Sequence, residues 1–411
     1  MPRLLLAGLL ALTPLAARAA DATITVTGGP KDATHVVCTV PAPAGFPTPR
    51  PPLLRTNGGE TVLFQVGPPA IGTKAGGQVL TFVMPAVRAN EVVTLAVNSV
   101  PPPPVGIPEF RFQEAKGEHV DLLFGDKPVL RYINRKHDGT TADSHDVTFK
   151  PFHHVFDPVD GKTVITSGAY PNSDKTAKFP HHRGLFYGWM KATYGTTTVD
   201  TWHGKKGVYS EVVQMGTPDA GPVYGRQSSH INWVGSDGLQ FADEQREVTA
   251  YAASGGTLID FTAVISTKLL KVTLDGDPQH AGFHFRAAQD VASQTAKETV
   301  FTRPDGQDKP GATRNWPAQK HHVNLAWDAM TFTTGGKQYT AVMLDRPDNP
   351  KEARFSERDY GRFGSYFVAT VTPTTPVTVR YRVFVKAGPV TVAECEGLSR
   401  GFVTPPTVAA K

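Results

Sequence analysis

Three clusters of histidine with aromatic and arginine residues are the part of this sequence that could carry chemistry. All fourteen histidines except His35 follow residue 108. The clusters are Lys150-Pro151-Phe152-His153-His154, then Phe179-Pro180-His181-His182-Arg183-Gly184 with Asp200-Thr201-Trp202-His203-Gly204 downstream, and His280-Ala281-Gly282-Phe283-His284-Phe285-Arg286. Imidazole, with a pKa near 6.5, accepts or donates a proton at neutral pH, and arginine offers a planar fork for carboxylate, phosphate or vicinal hydroxyls. We therefore expect the clusters to line one pocket.

The third cluster has the two-residue period of a β-strand. One face would carry Ala281, Phe283, Phe285 and Ala287, which suits a hydrophobic core. The other face would carry His280, Gly282, His284 and Arg286, where the glycine clears space between the polar side chains. This alternation predicts that the phenylalanines are buried and that the histidines and the arginine face a ligand.

Flat aromatic side chains accompany the second cluster. Tyr187, Trp189 and Trp202 offer apolar faces of the kind on which sugar rings stack. Because a single histidine is more often structural than catalytic, the remaining candidates are assigned to structural or solvated positions: His145, Asp146, His230, His321 and His322.

A metal site is an alternative interpretation of the same residues. His280 and His284 would align as ligands on a helix, but the alternation favours a strand and the chain has no H-E-x-x-H motif. Two histidines and a carboxylate could be assembled from His181, His203 and Asp200 or Glu244. Nucleophile-elbow, phosphate-loop and dinucleotide-binding motifs are absent from the sequence. We predict no bound metal and no cofactor.

Strand-like segments rich in Val, Thr and aromatic residues must position these clusters. They recur after residue 108, are bounded by Gly, Asp, Asn and Pro, and leave little helical periodicity. They span 121–124, 129–133, 208–214, 230–234, 245–252, 257–266, 271–274, 283–287, 330–332, 338–344, 365–370 and 377–384. So many strands in one stretch predict an all-β fold, a large antiparallel sandwich with two sheets around one core.

A change of composition near residue 108 predicts a domain boundary. Every Trp and Tyr lies after it, and the run from Pro101 to Pro104 would form a stiff, extended connector. Shorter Val- and Thr-rich strands before it predict a small immunoglobulin-like β-sandwich. The expected order is a signal peptide (1–19), the small accessory sandwich (20–100), a Pro-rich linker (101–108), the large sandwich (109–390) and a C-terminal tail (391–411).

The start of the chain has the features of a secretory signal peptide. Arg3 precedes an apolar run from Leu4 to Leu12, and Ala17-Arg18-Ala19 offers a cleavage site. The run is too short to span a bilayer, and no later stretch reaches about 18 uncharged apolar residues. We expect an exported protein, periplasmic or secreted, without a membrane span.

The net charge excludes one class of partner, and the cysteine content leaves a possible disulfide open. The 411 residues have a formal net charge of +5, too weak and dispersed for a nucleic-acid-binding protein. Cys38 and Cys395 could form a disulfide in an oxidising compartment or remain two buried thiols. The sequence leaves the oligomeric state open.

The clusters together resemble the PmoA-like (methane oxygenase PmoA) family of exported bacterial proteins of unknown function. The family signatures are Arg-Pro-aromatic-x-His, His-His-Arg-Gly and Asp-x-Trp, and the similar stretch is residues 110–386. The resemblance implies a galactose-mutarotase-like β-supersandwich that presents His, Arg and a carboxylate to a sugar. Lys150 stands where the family has arginine, which puts a bidentate anion contact there in doubt.

The residues and the resemblance together give a set of expected roles. The expected catalytic residues are His181, His182, His284 and Asp200. The expected substrate-binding residues are His154, Arg183, Trp202, His203, His280 and Arg286.

Three functions remain open. The first is a carbohydrate-active enzyme using histidine acid/base chemistry on a small-molecule or oligosaccharide ligand, by hydrolysis, elimination or epimerisation. Glycoside hydrolysis ordinarily needs two carboxylates, so elimination or epimerisation fits one carboxylate better. The others are a non-catalytic carbohydrate-binding protein and a metal-dependent oxygenase with a His/carboxylate site.

Overall fold

The computed structural model describes residues 23–42, 53–73, 76–97, 106–172, 176–277 and 279–410. The expected signal peptide and residues 101–105 of the expected linker lie outside these ranges. The described residues form large antiparallel sheets and few helices, so the all-β prediction is confirmed.

The strands are numbered in chain order. The first six are β1 (Thr23–Thr27), β2 (Ala33–Pro41), β3 (Leu53–Thr56), β4 (Thr61–Gly67), β5 (Val79–Val87) and β6 (Val92–Val97). The next nine are β7 (Phe110–Ala115), β8 (His119–Phe124), β9 (Lys127–Ile133), β10 (Phe152–Val155), β11 (Leu185–Trp189), β12 (Lys191–Tyr194), β13 (Thr197–Val199), β14 (Tyr209–Met215) and β15 (Asp219–Ala220). Then follow β16 (Tyr224–Val234), β17 (Gln240–Tyr251), β18 (Thr257–Ser266), β19 (Val272–Asp275), β20 (Ala281–Arg286), β21 (Val300–Arg303) and β22 (Gly306–Gln307). The last are β23 (Trp327–Thr334), β24 (Lys337–Asp345), β25 (Arg354–Arg358), β26 (Arg362–Tyr366), β27 (Ala369–Val371), β28 (Val377–Ala387) and β29 (Thr407–Ala410).

Helices are few and short. The α-helices are α1 (Ala142–Thr148) and α2 (Val392–Phe402), and shorter turns of 3₁₀ or π helix span Lys205–Gly207, Val291–Thr295 and Ala296–Glu298. None of the helices in the described ranges is long and apolar enough to cross a membrane.

The small N-terminal sandwich has its own core. Its strands follow the order β2-β5-β4-β3-β6-β1-β29. Ile24, Val36, Leu54, Phe64 and Leu95, from five of these strands, meet in one fully buried cluster. The alternating Val and Thr of these strands explain the packing, since every second side chain faces the same side.

The large sandwich packs an eight-stranded sheet against a ten-stranded sheet. The first has the order β25-β26-β20-β11-β10-β9-β8-β7, and the second runs from β14 through β16, β17, β18, β28, β24, β23 and β21 to β22, with β15 paired to β16. Phe283 and Phe363 from one sheet meet Phe261, Met330 and Val383 from the other in a single core. A four-stranded sheet, β13-β12-β19-β27, extends this core on one side.

The residues after 390 are built into the fold rather than forming the expected tail. Thr391 caps α2 by accepting a hydrogen bond from the Glu394 backbone N–H, and the Glu394 carboxylate accepts one from the Thr391 backbone N–H. Leu398 and Phe402 pack on the outer face of the ten-stranded sheet. Strand β29 then pairs with β1 of the small sandwich.

Both cysteines are free and buried. Cys38 lies in the core of the small sandwich, whereas Cys395 of α2 packs against the large one. Burial raises the pKa of the Cys38 thiol to about 12. Of the two states left open by the sequence, the structure has the free thiols.

Candidate functional site

Strands β11 and β20 form the floor of the site. Phe283 and Phe285 point into the core and are fully buried, as the alternation predicted. His284 and Arg286 point to the opposite face, where His284 lies beside Phe186 across the ladder. The predicted alternation is thus confirmed, but loops cover this face and both polar side chains are fully buried.

A glycine in β26 makes room for the His284 ring. Gly364 lies directly opposite His284, and a Cβ at that position would collide with the imidazole. The ring can therefore lie flat between the strands and the loops above them.

The second and third histidine clusters converge above this floor. The ring centroids of His181 and His203 are 4.4 Å apart, and those of His203 and His280 are 5.1 Å apart. The Trp202 ring lies 5.6 Å from that of His182 and 4.9 Å from that of His284. Five histidines distant in sequence thus share one site, which we call the histidine cluster: His181, His182, His203, His280 and His284.

A tight turn after β13 holds the first Asp–His pair. The His203 ring nitrogen Nδ1 donates to Asp200 Oδ2 at 2.7 Å, and the His203 backbone N–H donates to Asp200 Oδ1 at 2.9 Å. Burial alone would raise the pKa of Asp200, but these hydrogen bonds outweigh it and hold that pKa below its usual range. An ionised carboxylate fixes the proton on Nδ1 and leaves Nε2 as the acceptor.

A second Asp–His pair, which the sequence analysis missed, has the same spacing. His280 Nδ1 lies 2.9 Å and 3.0 Å from the two carboxylate oxygens of Asp277. Burial opposes ionisation of Asp277 as well, yet the hydrogen bonds lower its pKa. The signal was present as a repeated D-x-x-H spacing, Asp200 to His203 and Asp277 to His280.

His181 and His182 are held neutral between these pairs and the floor. Burial and the neighbouring His203 lower the pKa of His181 to about 2. Burial and the Arg362 charge hold the pKa of His182 well below its usual value. Within the described ranges, His181 Nε2 and both ring nitrogens of His182 are buried without a hydrogen-bond partner. These nitrogens are available to a ligand that can reach them.

Lys150 lies beneath the cluster, fully buried. Its ammonium donates to the Trp202 carbonyl at 2.7 Å and lies 4.7 Å from the centre of the Phe186 ring. Burial and the charge of Arg183 hold the Lys150 pKa well below its usual value. The lysine thus supports the Asp200–His203 turn from below.

His284 has no ring nitrogen left for a ligand. Nδ1 accepts from Arg362 at 2.8 Å, and Nε2 lies 2.8 Å from the Ala281 carbonyl, to which it donates. The predicted catalytic role of His284 therefore does not fit the geometry, because both nitrogens are used inside the protein. Its role is to hold Arg362 under the cluster.

Arg183 is a structural clamp rather than a substrate contact. Its guanidinium donates to the carbonyls of Asp146 and of Val147, the latter at 3.2 Å, in the last turn of α1. A third bond goes to the Pro180 carbonyl at 3.3 Å. The side chain is fully buried, so its charge compensates the carbonyl end of the helix and does not reach a ligand.

Arg286 and His154 lie at the margins of the site. Arg286 donates to the Tyr360 carbonyl and to Gln289 Oε1, the latter at 3.2 Å. His154 Nδ1 lies 3.1 Å from Thr166 Oγ1, and burial lowers its pKa to about 3. No contact within the described ranges joins His154 to the histidine cluster, so the first sequence cluster reaches the site through Lys150.

The expected aromatic stacking surface is absent among the described residues. Tyr187 and Trp189 point into the main core, because odd-numbered residues of β11 face inward. Trp202 is fully buried beneath the histidines and exposes no ring face. Its indole packs inside the protein and cannot stack on a sugar.

Of the residues assigned to structural or solvated positions, His145, Asp146 and His322 contact other protein groups, whereas His321 is in solvent. Both ring nitrogens of His145 are bonded, one 2.9 Å from His137 and one 2.6 Å from the Gly204 carbonyl. Its neighbour Asp146 pairs with Arg183, and His321 is exposed. His322 is not solvated: its carbonyl accepts from the Phe355 N–H, which draws it against β25 and buries it.

The metal interpretation of the histidine cluster loses one proposed ligand. Glu244 lies in the ten-stranded sheet, where its carboxylate is bonded to Arg246 at 2.7 Å and to the Trp233 indole at 2.9 Å. In the described ranges, three potential ligand atoms come within 4.8 Å of one another elsewhere, at His322, Asp328 and Glu357.

Comparison with known proteins places the chain in a family. No curated protein matches the sequence. Two solved structures from Enterococcus faecalis align at 10% identity and a TM-score of 0.43: an alpha-mannosidase, with 95% of this chain and 46% of that one covered, and a glycosyl hydrolase family 38 protein, with 96% and 48% covered. The chain thus spans about half the length of these proteins, and similarity at this level is too low to transfer a chemistry. Residues 119–400 match the family of unknown function DUF6807, and the chain belongs to that family.

Proposed function

We propose that the histidine cluster is an acid/base site acting on a sugar or a similar polyhydroxylated molecule. The observation that carries the proposal is the two Asp–His pairs whose imidazoles lie 5.1 Å apart. A carboxylate on Nδ1 orients each ring and raises the basicity of its Nε2, as in catalytic dyads. The imidazole that removes a proton from one position of a ligand becomes an imidazolium, and it can return that proton to another position.

Exposure divides the cluster into an outer, reactive part and an inner, supporting part. The side chains of His203 and His280 are 14% and 29% exposed, and His181 is partly exposed. His182 and His284 are buried. We assign proton transfer to His203 and His280 and a ligand contact to His181, with the inner residues as positioning groups.

Elimination or epimerisation fits this arrangement better than glycoside hydrolysis. Hydrolysis by the usual route needs one carboxylic acid and one free carboxylate. Here Asp200 and Asp277 both accept hydrogen bonds from imidazoles. Neither is free to attack a sugar carbon or to protonate a leaving group, so the imidazoles are the groups that move protons.

The sugar part of the proposal has separate support. The neutral imidazole of His181, which is partly exposed, suits a hydroxyl group, which can both donate and accept. The resemblance to the PmoA-like family also favours a sugar as the ligand. The signal-like start of the chain favours a periplasmic or secreted location. A metal-dependent oxygenase is less well supported, because His181, His203 and His280 do not bring three ligand atoms within 4.8 Å of one another.

Proton NMR in deuterium oxide tests the proposal. The full chain is incubated with aldoses, uronic acids and disaccharides, and exchange of carbon-bound protons and formation of unsaturated or epimeric products are followed. We expect one sugar class to react with wild type and with the His230→Gln control, and not with His203→Gln. Binding of a sugar without any exchange or product would identify a binding protein instead. No binding and no reaction across the panel would contradict a sugar ligand.

A further inference from the structure

A second polar cluster lies inside the large sandwich, at the end where both sheets reach their edges. Asp328 of β23 and Glu357 of β25 come from opposite sheets and point into the space between them. His322 lies between the two strands, with Nε2 3.2 Å from Glu357 Oε1. All three side chains are at most 1% exposed, and one ligand atom from each lies within 4.8 Å of the others.

The carboxylate of Asp328 lacks the partners that a buried charge requires. Neither of its oxygens has a hydrogen-bond partner at acceptable geometry within the described ranges, although the residue is fully buried. An ionised carboxylate in such a place costs several kcal/mol unless it is paired or bound to a metal ion. His322 Nε2 is likewise buried and has no hydrogen-bond partner of good geometry among the described residues.

Nearby arginines compensate only part of the negative charge. Arg303 pairs with both oxygens of Glu357 and lies 2.9 Å from Asp308. Arg314 donates two hydrogen bonds to Asp308 and one to Asp305, which is 57% exposed, so its charge balances Asp308. Asp328 and Glu357 therefore face the single charge of Arg303, which leaves an excess of negative charge that a divalent cation would balance.

We propose that His322, Asp328 and Glu357 bind a divalent metal ion of the zinc, manganese or iron class. An imidazole nitrogen with two carboxylate oxygens is the donor set of these ions, whereas calcium and magnesium prefer oxygen alone. Glu357 still has one lone-pair direction on Oε1, the one facing His322, because Arg303 and the Arg314 backbone N–H occupy the others. Because the ligands come from both sheets and are closed from solvent, the ion would join the sheets structurally.

This metal site is independent of the proposed acid/base site. None of its three ligands belongs to the histidine cluster, and His322 follows the exposed His321 directly. His321 provides a matched control, being the same residue type one position away with its side chain in solvent.

Metal analysis of the purified full chain tests the proposal. The protein is equilibrated with zinc or manganese, dialysed, and its metal content measured together with its melting temperature before and after chelation. We expect about one ion per chain in wild type and in His321→Gln, with chelation lowering the melting temperature by several degrees. His322→Gln and Asp328→Asn should lose the ion, and chelation should no longer change their melting temperatures.

Two outcomes would overturn the proposal. One is wild-type protein that retains no stoichiometric metal after equilibration and whose melting temperature is unaffected by added cations or chelator, which would mean that a proton neutralises the carboxyl pair. The other is a bound ion that His322→Gln and Asp328→Asn retain but His203→Gln loses. If a ligand variant does not fold, the wild-type metal content and chelation shift still decide the matter.

Discussion

The two Asp–His pairs share a spacing but differ in exposure, and this difference gives a prediction at the residue scale. Asp200 is 17% exposed and Asp277 42% exposed. A charge-assisted hydrogen bond is stronger where water is excluded. We expect Asp200→Asn to slow turnover of the reactive sugar by about 10²-fold or more, because the amide no longer fixes the Nδ1 proton.

Asp277→Asn is the matched comparison and should have the smaller effect on turnover. Both rates are measured with the sugar found reactive for wild type, and the melting temperatures of both variants show whether the fold is kept. If Asp277→Asn is the more damaging change, or if neither changes the rate, the assignment of the pairs is wrong.

His284 gives a prediction about stability instead of activity. Its removal would leave the Arg362 guanidinium, which is fully buried, without one of its acceptors. We expect His284→Ala to lower the free energy of unfolding by about 2 to 4 kcal/mol. Urea unfolding measures this, with His321→Ala as the exposed control. A free energy of unfolding unchanged from wild type would show that the ring is not structural.

At the scale of elements, long strands rich in β-branched residues could be predicted, and very short strands with few such residues could not. Strand β18, Thr257–Ser266, was predicted to the residue. Strands β10 and β11 were missed, since they are only four and five residues long and no two-residue period marks them. The site was found in part because His284 lies on an alternating strand, whereas Asp277 lies in a turn just before it.

The C-terminal helix was also missed, and it carries a prediction of its own. Phe402 and Leu398 of α2 cover Trp327, Leu344 and Phe384 on the ten-stranded sheet. A fragment of residues 106–390 would expose this apolar patch to water. We expect residues 106–403 to fold with a cooperative thermal transition and residues 106–390 to aggregate or melt at a lower temperature.

Calorimetry of the two fragments under the same conditions measures the difference. A fragment ending at residue 390 that melts at the same temperature as the longer one would show that α2 adds nothing to the large sandwich.

At the scale of the whole molecule, the two faces of the large sandwich have different tasks. The small sandwich and α2 cover the outer face of the ten-stranded sheet, where Arg226 donates to the Pro68 carbonyl at 2.6 Å. The histidine cluster lies on the outer face of the eight-stranded sheet. The accessory module therefore contributes to stability from the side opposite the proposed site.

Buried neutral histidines make the whole fold sensitive to acid. Burial, with nearby arginine charges, holds the pKa values of His153, His182 and His284 well below their usual value. In the unfolded chain these side chains titrate near pH 6.5. Below that pH the unfolded state binds protons that the folded state does not, so stability is full above about pH 6.5 and falls as the pH decreases.

The expected loss is up to about 1.4 kcal/mol per pH unit for each such histidine. Urea unfolding between about pH 8 and pH 5 measures it, and His182→Gln should reduce the slope relative to wild type. A stability that does not change over this range would mean that these rings are protonated in the folded protein.

The most direct test of the acid/base site is the position of the proton on each imidazole. A long-range ¹H–¹⁵N spectrum of histidine-labelled protein at mildly alkaline pH reports it, with His203→Gln and His280→Gln identifying the signals. We predict that His203 and His280 carry the proton on Nδ1, with Nε2 bare, and that His284 carries it on Nε2. A proton on Nε2 of His203 and His280 would contradict the account, because the bases assigned to the site would then be absent.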